Sequence, residues 1–278
     1  MPVIDIAYLG PVGTYSHLVA QKRFGSKANV RLVPMPTIYD ICAYTSGKDN
    51  RYGIVPIENS SGGAIYETVD ILLANKPRVH LLEEITLKVN LALLGHKHEK
   101  IQKLYSHFAP MEHCADWIKK NLPRAQKEVV TSTAVAALNA ASHNNAAALG
   151  SRKLAGYYYL EVLKYPVESD VPNLTNFLVL SGKKKNTVKP TKTTLAVHLP
   201  NKPGSLCSFL ECFRDNNVNL SRLISRPIRG SHKQYAFLVD IEGASSNANV
   251  KKAMIQAQKV SEAIRTVGSY PCSKKYNS

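Results

Sequence analysis

The sequence predicts an α/β fold through residue 182, followed by a small βαββαβ module of ferredoxin-like type. Three observations predict it. Short apolar strands alternate with capped helical stretches along the first part, the pattern of helices packed on both faces of a sheet. The stretch SGKKKNTVKPTKT (181–193) is polar, basic and broken by Pro190, which is linker chemistry. Beyond it the order is strand, helix, strand, strand, helix, strand. The boundaries that follow are 1–182, a linker over 183–192, and 193–278.

The elements of the first part follow in order. Ile4–Leu9 is a short apolar strand, and GPVGTYSH turns it into a helix running through Ala20 and Phe24. Arg31–Val33 is a second strand. Thr37 caps a helix toward Ala43. Tyr52–Pro56 is a third strand, ending at IENSSGGAI, and Tyr66–Leu73 is helical by spacing. Arg78–Leu87 and Val89–Leu94 are strands, and Glu112–Lys120 is an amphipathic helix. Ser132 caps an alanine-rich helix, Thr133–Ser142. Ala146–Leu149 is a buried strand, Lys153–Ala155 a helical turn, and Leu178–Leu180 a closing strand. In the second part the strands are Thr194–Leu199, Leu220–Arg226, Tyr235–Ile241 and Thr266–Tyr270. The helices are Ser205–Asn216 and Asn247–Ile264.

Composition narrows the function. Of 278 residues, 44% are hydrophobic and 20% charged, enough apolar material for a core and too little charge for wholesale disorder. No run reaches the roughly 20 apolar residues of a membrane helix, and the opening MPVIDIAYLG lacks the features of a signal peptide. Cys42, Cys114, Cys207, Cys212 and Cys272 are odd in number and scattered, which points to free thiols in a cytoplasm. The net charge of +16 is compatible with nucleic-acid binding, a solvated basic surface or steering of a small anion. No recognition helix or RNA-binding aromatic signature accompanies it, so nucleic-acid binding rests on charge alone.

Four segments carry hydroxyls or amides at strand ends. In GPVGTYS (10–16), Gly10 and Gly13 flank a turn, and Thr14 and Ser16 open a helix whose N–H groups favour an anion. In IENSSGGAIYET (57–68), Glu58, Asn59, two serines and two glycines precede another helix. Taken alone the first loop reads as an ordinary capped turn, and the second can be read so too; the two together point more to a carboxylate-binding cleft than either does alone. In TSTAVAALNAAS (131–142), only the hydroxyls of Ser132 and Thr133 suggest more than packing. In NLTNF (173–177), Thr175 and Asn176 read as a loop with an Asx turn. His96 and His98 read as a surface loop, and His107 and His113 as cap or core. Spacing reveals neither a nucleophile–base pair nor a metal motif, and no cofactor is expected.

These segments together resemble prephenate dehydratases with a C-terminal ACT regulatory domain. GPVGTYSHLVA, VPIENSSGGAIYETVD, TSTAVAA, and AAALGS with Tyr157–Leu163 match the catalytic blocks in order; NKPGSL, SRP and VGSYP match ACT segments. The resemblance implies two α/β lobes of periplasmic-binding-protein type with the site between them. It implies loss of carbon dioxide and water from prephenate to give phenylpyruvate, in phenylalanine synthesis. It implies catalytic roles for Thr175, Asn59 and Ser132 and substrate contacts from Thr14, Ser16, Ser60 and Phe177; His113, as a catalytic group, and Asn176, as a substrate contact, are expected at positions where the chain departs from the family. It further implies feedback by L-phenylalanine at Gly204, Ser205, Leu206, Ser225, Arg226 and Pro227, and a homodimer or homotetramer.

Three departures from the family pattern stand out. The family's TRF reads Thr175-Asn176-Phe177, without the arginine that could bind a carboxylate bidentately. Losing one partner of a buried charged pair costs about 2–5 kcal/mol. HPQxLxQC reads HFAPMEHC (107–114), placing His113 where the family has glutamine; a protonated His113 could supply charge or a proton near neutral pH. ESRP reads Ile224-Ser225-Arg226-Pro227. The departures keep three alternatives open: a prephenate decarboxylase that does not aromatise, an arogenate dehydratase, and an inactive amino-acid sensor.

Overall fold

The structure is a computed structural model describing residues 2–168, 172–185, 189–228 and 234–278. The expected linker therefore lies partly outside the described residues, at 186–188.

Parallel pairing of apolar strands builds the first lobe. The chain runs β1 (Ile4–Leu9), α1 (Tyr15–Phe24), β2 (Val30–Met35), α2 (Ile38–Thr45), β3 (Arg51–Asn59), β4 (Gly63–Ala64), α3 (Tyr66–Ala74) and β5 (His80–Lys88). It then enters a second lobe: β6 (Ala92–Gly95), β7 (Lys103–Ser106), α4 (Phe108–His113), α5 (Ala115–Asn121), β8 (Gln126–Val129), α6 (Thr133–Ser142), β9 (Ala146–Gly150), α7 (Leu154–Tyr158) and β10 (Glu161–Lys164). β11 (Leu174–Ser181) returns to the first lobe. The first sheet has the order β16-β5-β11-β3-β1-β2 with β4 on β3, where β16 is the C-terminal strand Cys272–Asn277, and the second β10-β6-β9-β7-β8. Two hydrogen bonds, Val89 N to Asn173 O at 2.7 Å and Val167 N to Leu91 O at 2.8 Å, lace the two crossings between lobes together.

The C-terminal module is β12 (Lys192–His198), α8 (Ser205–Arg214), β13 (Leu220–Pro227), β14 (Tyr235–Glu242), α9 (Ala248–Val260) and β15 (Ala263–Tyr270), in sheet order β13-β14-β12-β15. This is the expected βαββαβ arrangement. Its helices cover one face over a core that includes Phe209, Phe213, Val239 and Val250. Its other face buries Ala196, Leu238 and Val267 against Ile57, Val69 and Leu72 of the first lobe.

Four expectations change. The helix expected over Glu112–Lys120 is two short helices that break at Cys114 and begin already at Phe108. His107 starts the first, its ring Nδ1 accepting from Ala109 N. The NLTNF segment is no loop: Leu174 onward is strand, because β11 is paired on both sides by β3 and β5 and its backbone groups are all claimed there. The helix expected through Ile264 stops at Val260, where the Ser261 hydroxyl turns back onto Ala257 O, and Ala263–Tyr270 pairs with β12 instead. Finally β16 (Cys272–Asn277), unexpected from the sequence, leaves the module and pairs in parallel with β5.

Candidate active site

Between the lobes lies a cavity of about 840 Å³. The C-terminal ends of β1, β2 and β3 open onto it from the first lobe, and the N-termini of α4 and α6 from the second. Ligands collect at such strand ends because the helix N-termini that follow present unpaired N–H groups. None of the described residues that line the cavity carries a Lys, Arg, Asp or Glu side chain. Recognition of an anion there falls to amides and hydroxyls.

The β1–α1 turn is held from inside. Thr14 caps α1, its oxygen accepting from His17 N at 3.2 Å while its hydroxyl donates to Leu9 O at 2.8 Å. That hydroxyl is spent on the turn. Ser16, in the first turn of α1 and lining the cavity, keeps its hydroxyl available among the described residues. Gly13 sits at φ +93°, a conformation that favours glycine, and a Cβ there would lie 2.5 Å from Leu154 Cδ2 of the second lobe and force that side chain to shift. Gly13 N donates to His17 Nδ1 at 3.0 Å. That bond requires an unprotonated Nδ1, and burial holds the His17 pKa below the usual 6.5. The ring stacks on Tyr8 at 5.0 Å.

The β3–β4 loop is organised by Asn59. Its Nδ2 donates to Thr175 Oγ1 and to Asn173 Oδ1, both at 2.8 Å, and its Oδ1 accepts from Ser61 N and Gly62 N, both at 2.9 Å. Both amide hydrogens are therefore committed to protein. Thr175 accepts one of them, which leaves its own hydroxyl hydrogen free to point into the cavity. The two meet because Asn59 and Thr175 are directly opposite in the β3–β11 register. Ser60 closes the loop away from the cavity, accepting from Leu174 N at 2.9 Å and donating to Pro172 O at 2.9 Å.

The second lobe presents Thr131, Ser132 and Thr133 at the start of α6. Ser132 Oγ accepts from Val135 N at 3.1 Å, the ordinary N-cap bond. His107 also lines the cavity, and burial lowers its pKa, leaving it neutral. Phe108, Met35, Ile38 and Phe177 supply an apolar wall.

The structure thus brings Thr14, Ser16, Asn59, Ser132, Thr175 and Phe177 to one cavity. It puts three other residues elsewhere. Asn176 projects from the opposite face of β11, because alternate strand residues face opposite ways, and its Oδ1 accepts from Thr86 Oγ1 at 2.9 Å. Ser60 and His113 line a separate cavity of about 530 Å³ at the lobe junction. There His113 Nδ1 lies 2.9 Å from Ser61 Oγ, joining α4 of one lobe to the Asn59 loop of the other. In the C-terminal module Gly204 (φ +82°) starts α8, followed by Ser205 and Leu206. Ser225 and Pro227 face out of β13, whereas Arg226 faces inward and pairs bidentately with Asp70 at 2.6 and 2.7 Å. Sequence reasoning missed Asn173 and His17. Asn173 was signalled only by lying two residues before Thr175, and nothing in the sequence singled out His17.

A family model described as prephenate dehydratase matches residues 6–185, and one described as ACT domain matches residues 193–257. A bifunctional chorismate mutase/prephenate dehydratase of Aquifex aeolicus is 34% identical over 273 residues, covering 96% of this chain and 74% of that protein. The solved prephenate dehydratase of Arthrobacter aurescens, in complex with L-Phe, superposes with a TM-score of 0.85 at 26% identity, over 96% of this chain and 90% of that one. The prephenate dehydratase of Staphylococcus aureus does so at 0.83 and 26%, over 96% and 100%. With a family match over most of its length, a cleft built from that family's segments and an ACT fold behind it, this chain belongs to the prephenate dehydratase family.

Proposed function

We propose that the cleft converts prephenate to phenylpyruvate, carbon dioxide and water. The observation that carries this reading is the 2.8 Å bond from Asn59 Nδ2 to Thr175 Oγ1 at the cavity wall. It fixes the Thr175 oxygen and leaves its hydrogen as a donor aimed at the ligand. Prephenate carries a ring carboxylate, a pyruvyl carboxylate and a ring hydroxyl opposite the quaternary carbon. The N-termini of α1, with Ser16, and of α6, with Thr131, Ser132 and Thr133, are two anion-receptive poles on opposite lobes. Each favours a carboxylate by roughly 0.3–1 kcal/mol at an exposed surface and up to about 2 kcal/mol when desolvated.

In the reaction the bond from the ring to its carboxylate breaks and carbon dioxide leaves. The electron pair enters the ring, and the hydroxyl departs from the opposite carbon. The dianion takes up one proton overall, so the leaving group goes as water. Thr175 donates to that oxygen as charge develops on it, and Asn59 positions Thr175 and steadies its oxygen in turn. A hydroxyl is too weak an acid to ionise first, so its contribution is a donor placed in advance where charge appears. Thr14 acts by shaping the turn, and His113 by joining the lobes through Ser61.

L-phenylalanine is the proposed effector, at Gly204–Leu206 and Ser225–Pro227. The support is the ACT fold and the L-Phe complex of the Arthrobacter relative. The outward face of β13, at the edge of its sheet, exposes Leu223, and with Tyr235 it supports pairing of two chains as a homodimer, or of two such dimers. Among the described residues no helix is long and apolar enough to cross a membrane. With free cysteines this supports a cytoplasmic site. Incubation with prephenate at neutral pH, followed by absorbance and mass, tests the reading. Phenylpyruvate above the spontaneous background is expected. A product that loses carbon dioxide but keeps the hydroxyl, or turnover of arogenate alone, would replace it.

A further inference from the structure

The inner face of β13 carries Arg222, Ile224 and Arg226, and all three meet the catalytic part. Arg222 is the most deeply placed, with 5% of its side chain exposed. Its Nε and Nη2 donate to Glu58 Oε2 at 3.1 and 3.0 Å. Its Nη1 donates to Glu84 Oε2 at 3.4 Å and to Asp240 Oδ2. Lys192 completes the cluster, 2.9 Å from Glu84 Oε1 and 3.7 Å from Asp240 Oδ2. Thr194 Oγ1 donates to the other Asp240 oxygen at 2.6 Å. Glu58 and Glu84 belong to the catalytic sheet; the other four belong to the ACT module. The cluster is thus a buried ionic joint between the two parts of the chain.

Such a joint is a costly way to gain stability, since well-packed apolar residues of like volume usually serve as well or better. What it provides is fixed placement: an arginine satisfied by three carboxylates tolerates little sliding. The element it places is the end of β3. Glu58 and Asn59 are consecutive on that strand, so their side chains leave opposite faces of one peptide unit. Glu58 goes to Arg222, and Asn59 goes to the cavity, where it holds Thr175 and the amides of Ser61 and Gly62.

Building on the reading above, we propose that Arg222 is a positioning residue for the lyase reaction: through Glu58 it sets the placement of Asn59 and hence of the Thr175 hydroxyl. The ACT module then belongs to the catalytic machinery even without effector, and any ligand that shifts β13 acts on Thr175 by the same route.

Glu58→Gln is the primary test. Glu58 is 39% exposed, so the variant tolerates loss of the charge, whereas Arg222→Gln would leave two buried carboxylates to share Lys192. Arg222→Lys, which keeps the charge but loses the fork, is the second variant. Both are measured as full chains by steady-state kinetics with prephenate and by hydrogen exchange of peptides covering 59–64. The expected result is a kcat reduced on the order of ten- to a hundredfold with KM within about twofold, because the lost placement matters at the transition state. Exchange at Ser61 and Gly62 should be faster. A joint serving stability alone lowers Tm but leaves kcat and the 59–64 exchange at wild-type values, and that result overturns the proposal. If wild-type protein fails to turn over prephenate, the reading of the reaction falls, while the exchange comparison still decides whether Arg222 places the loop.

Discussion

At the scale of single residues, the site is defined by which polar hydrogens are already committed. Asn59 has none left for a ligand, Thr14 has spent its hydroxyl on Leu9 O, and Thr175 and Ser16 have theirs free. Residue type alone cannot separate these cases, since Thr14 and Thr175 are the same amino acid beside the same cavity. His17 adds a pH dependence. Its folded pKa is depressed below 6.5 by burial, so the unfolded chain binds a proton more readily. Stability from this group is complete above the unfolded value and declines as pH falls below 6.5 toward the folded pKa. Thermal melts between pH 5 and pH 8 should show Tm falling on the acidic side. His17→Gln, whose amide oxygen can accept from Gly13 N, should flatten that slope; an unchanged slope would assign it to other groups.

At the scale of elements, strand register decides more than motif content. Asn59 and Thr175 meet because β3 and β11 pair antiparallel in that register, and Asn176 is turned away by the same alternation. The missing family arginine at 176 therefore leaves no gap in the cavity wall, and Glu58, opposite Asn176 in the register, pairs with Arg222. The sequence made the helix starts legible, because caps are local: Thr14, Thr37 and Ser132 each accept the expected backbone N–H. It did not make β11 legible as a long strand, because Thr-Asn after a leucine carries loop chemistry and only pairing on both sides overrides it. β7, β8, β10 and β16 were missed for a related reason. They are short or half-polar, and they exist because a neighbouring strand offers its edge. The turn at Gly13 is a sharp test of the element scale. Gly13→Ala forces a left-handed residue against Leu154 and should cost roughly 2–4 kcal/mol, read as a lower midpoint in urea. A loss below about 0.5 kcal/mol would mean that the lobes move apart freely there.

At the scale of the whole molecule, two lobes joined by a laced pair of crossings and an ACT module each have a sheet of their own, and the first-lobe sheet meets both of the other parts. The module packs apolar residues and an ionic joint against the sheet whose strand ends open onto the cleft. β16 then adds a strand to that sheet's edge. None of the Lys and Arg side chains behind the +16 charge lies among the described residues of the cavity wall, so that charge is carried outside it. Inhibition by L-phenylalanine should appear in the wild-type chain and weaken in Glu58→Gln, while direct calorimetric titration shows the effector still bound. Equal inhibition of both would place the effector's route elsewhere, Arg226–Asp70 being another ionic tie between the parts.

In the proposed reaction Thr175 donates to the departing hydroxyl of prephenate. Steady-state kinetics of wild type, Thr175→Ser and Thr175→Val with prephenate tests it most directly. The predicted result is phenylpyruvate from wild type, most of that rate from the serine variant, and a kcat for the valine variant lower by at least about a hundredfold with little change in KM. A valine variant that turns over prephenate at the wild-type rate would contradict it.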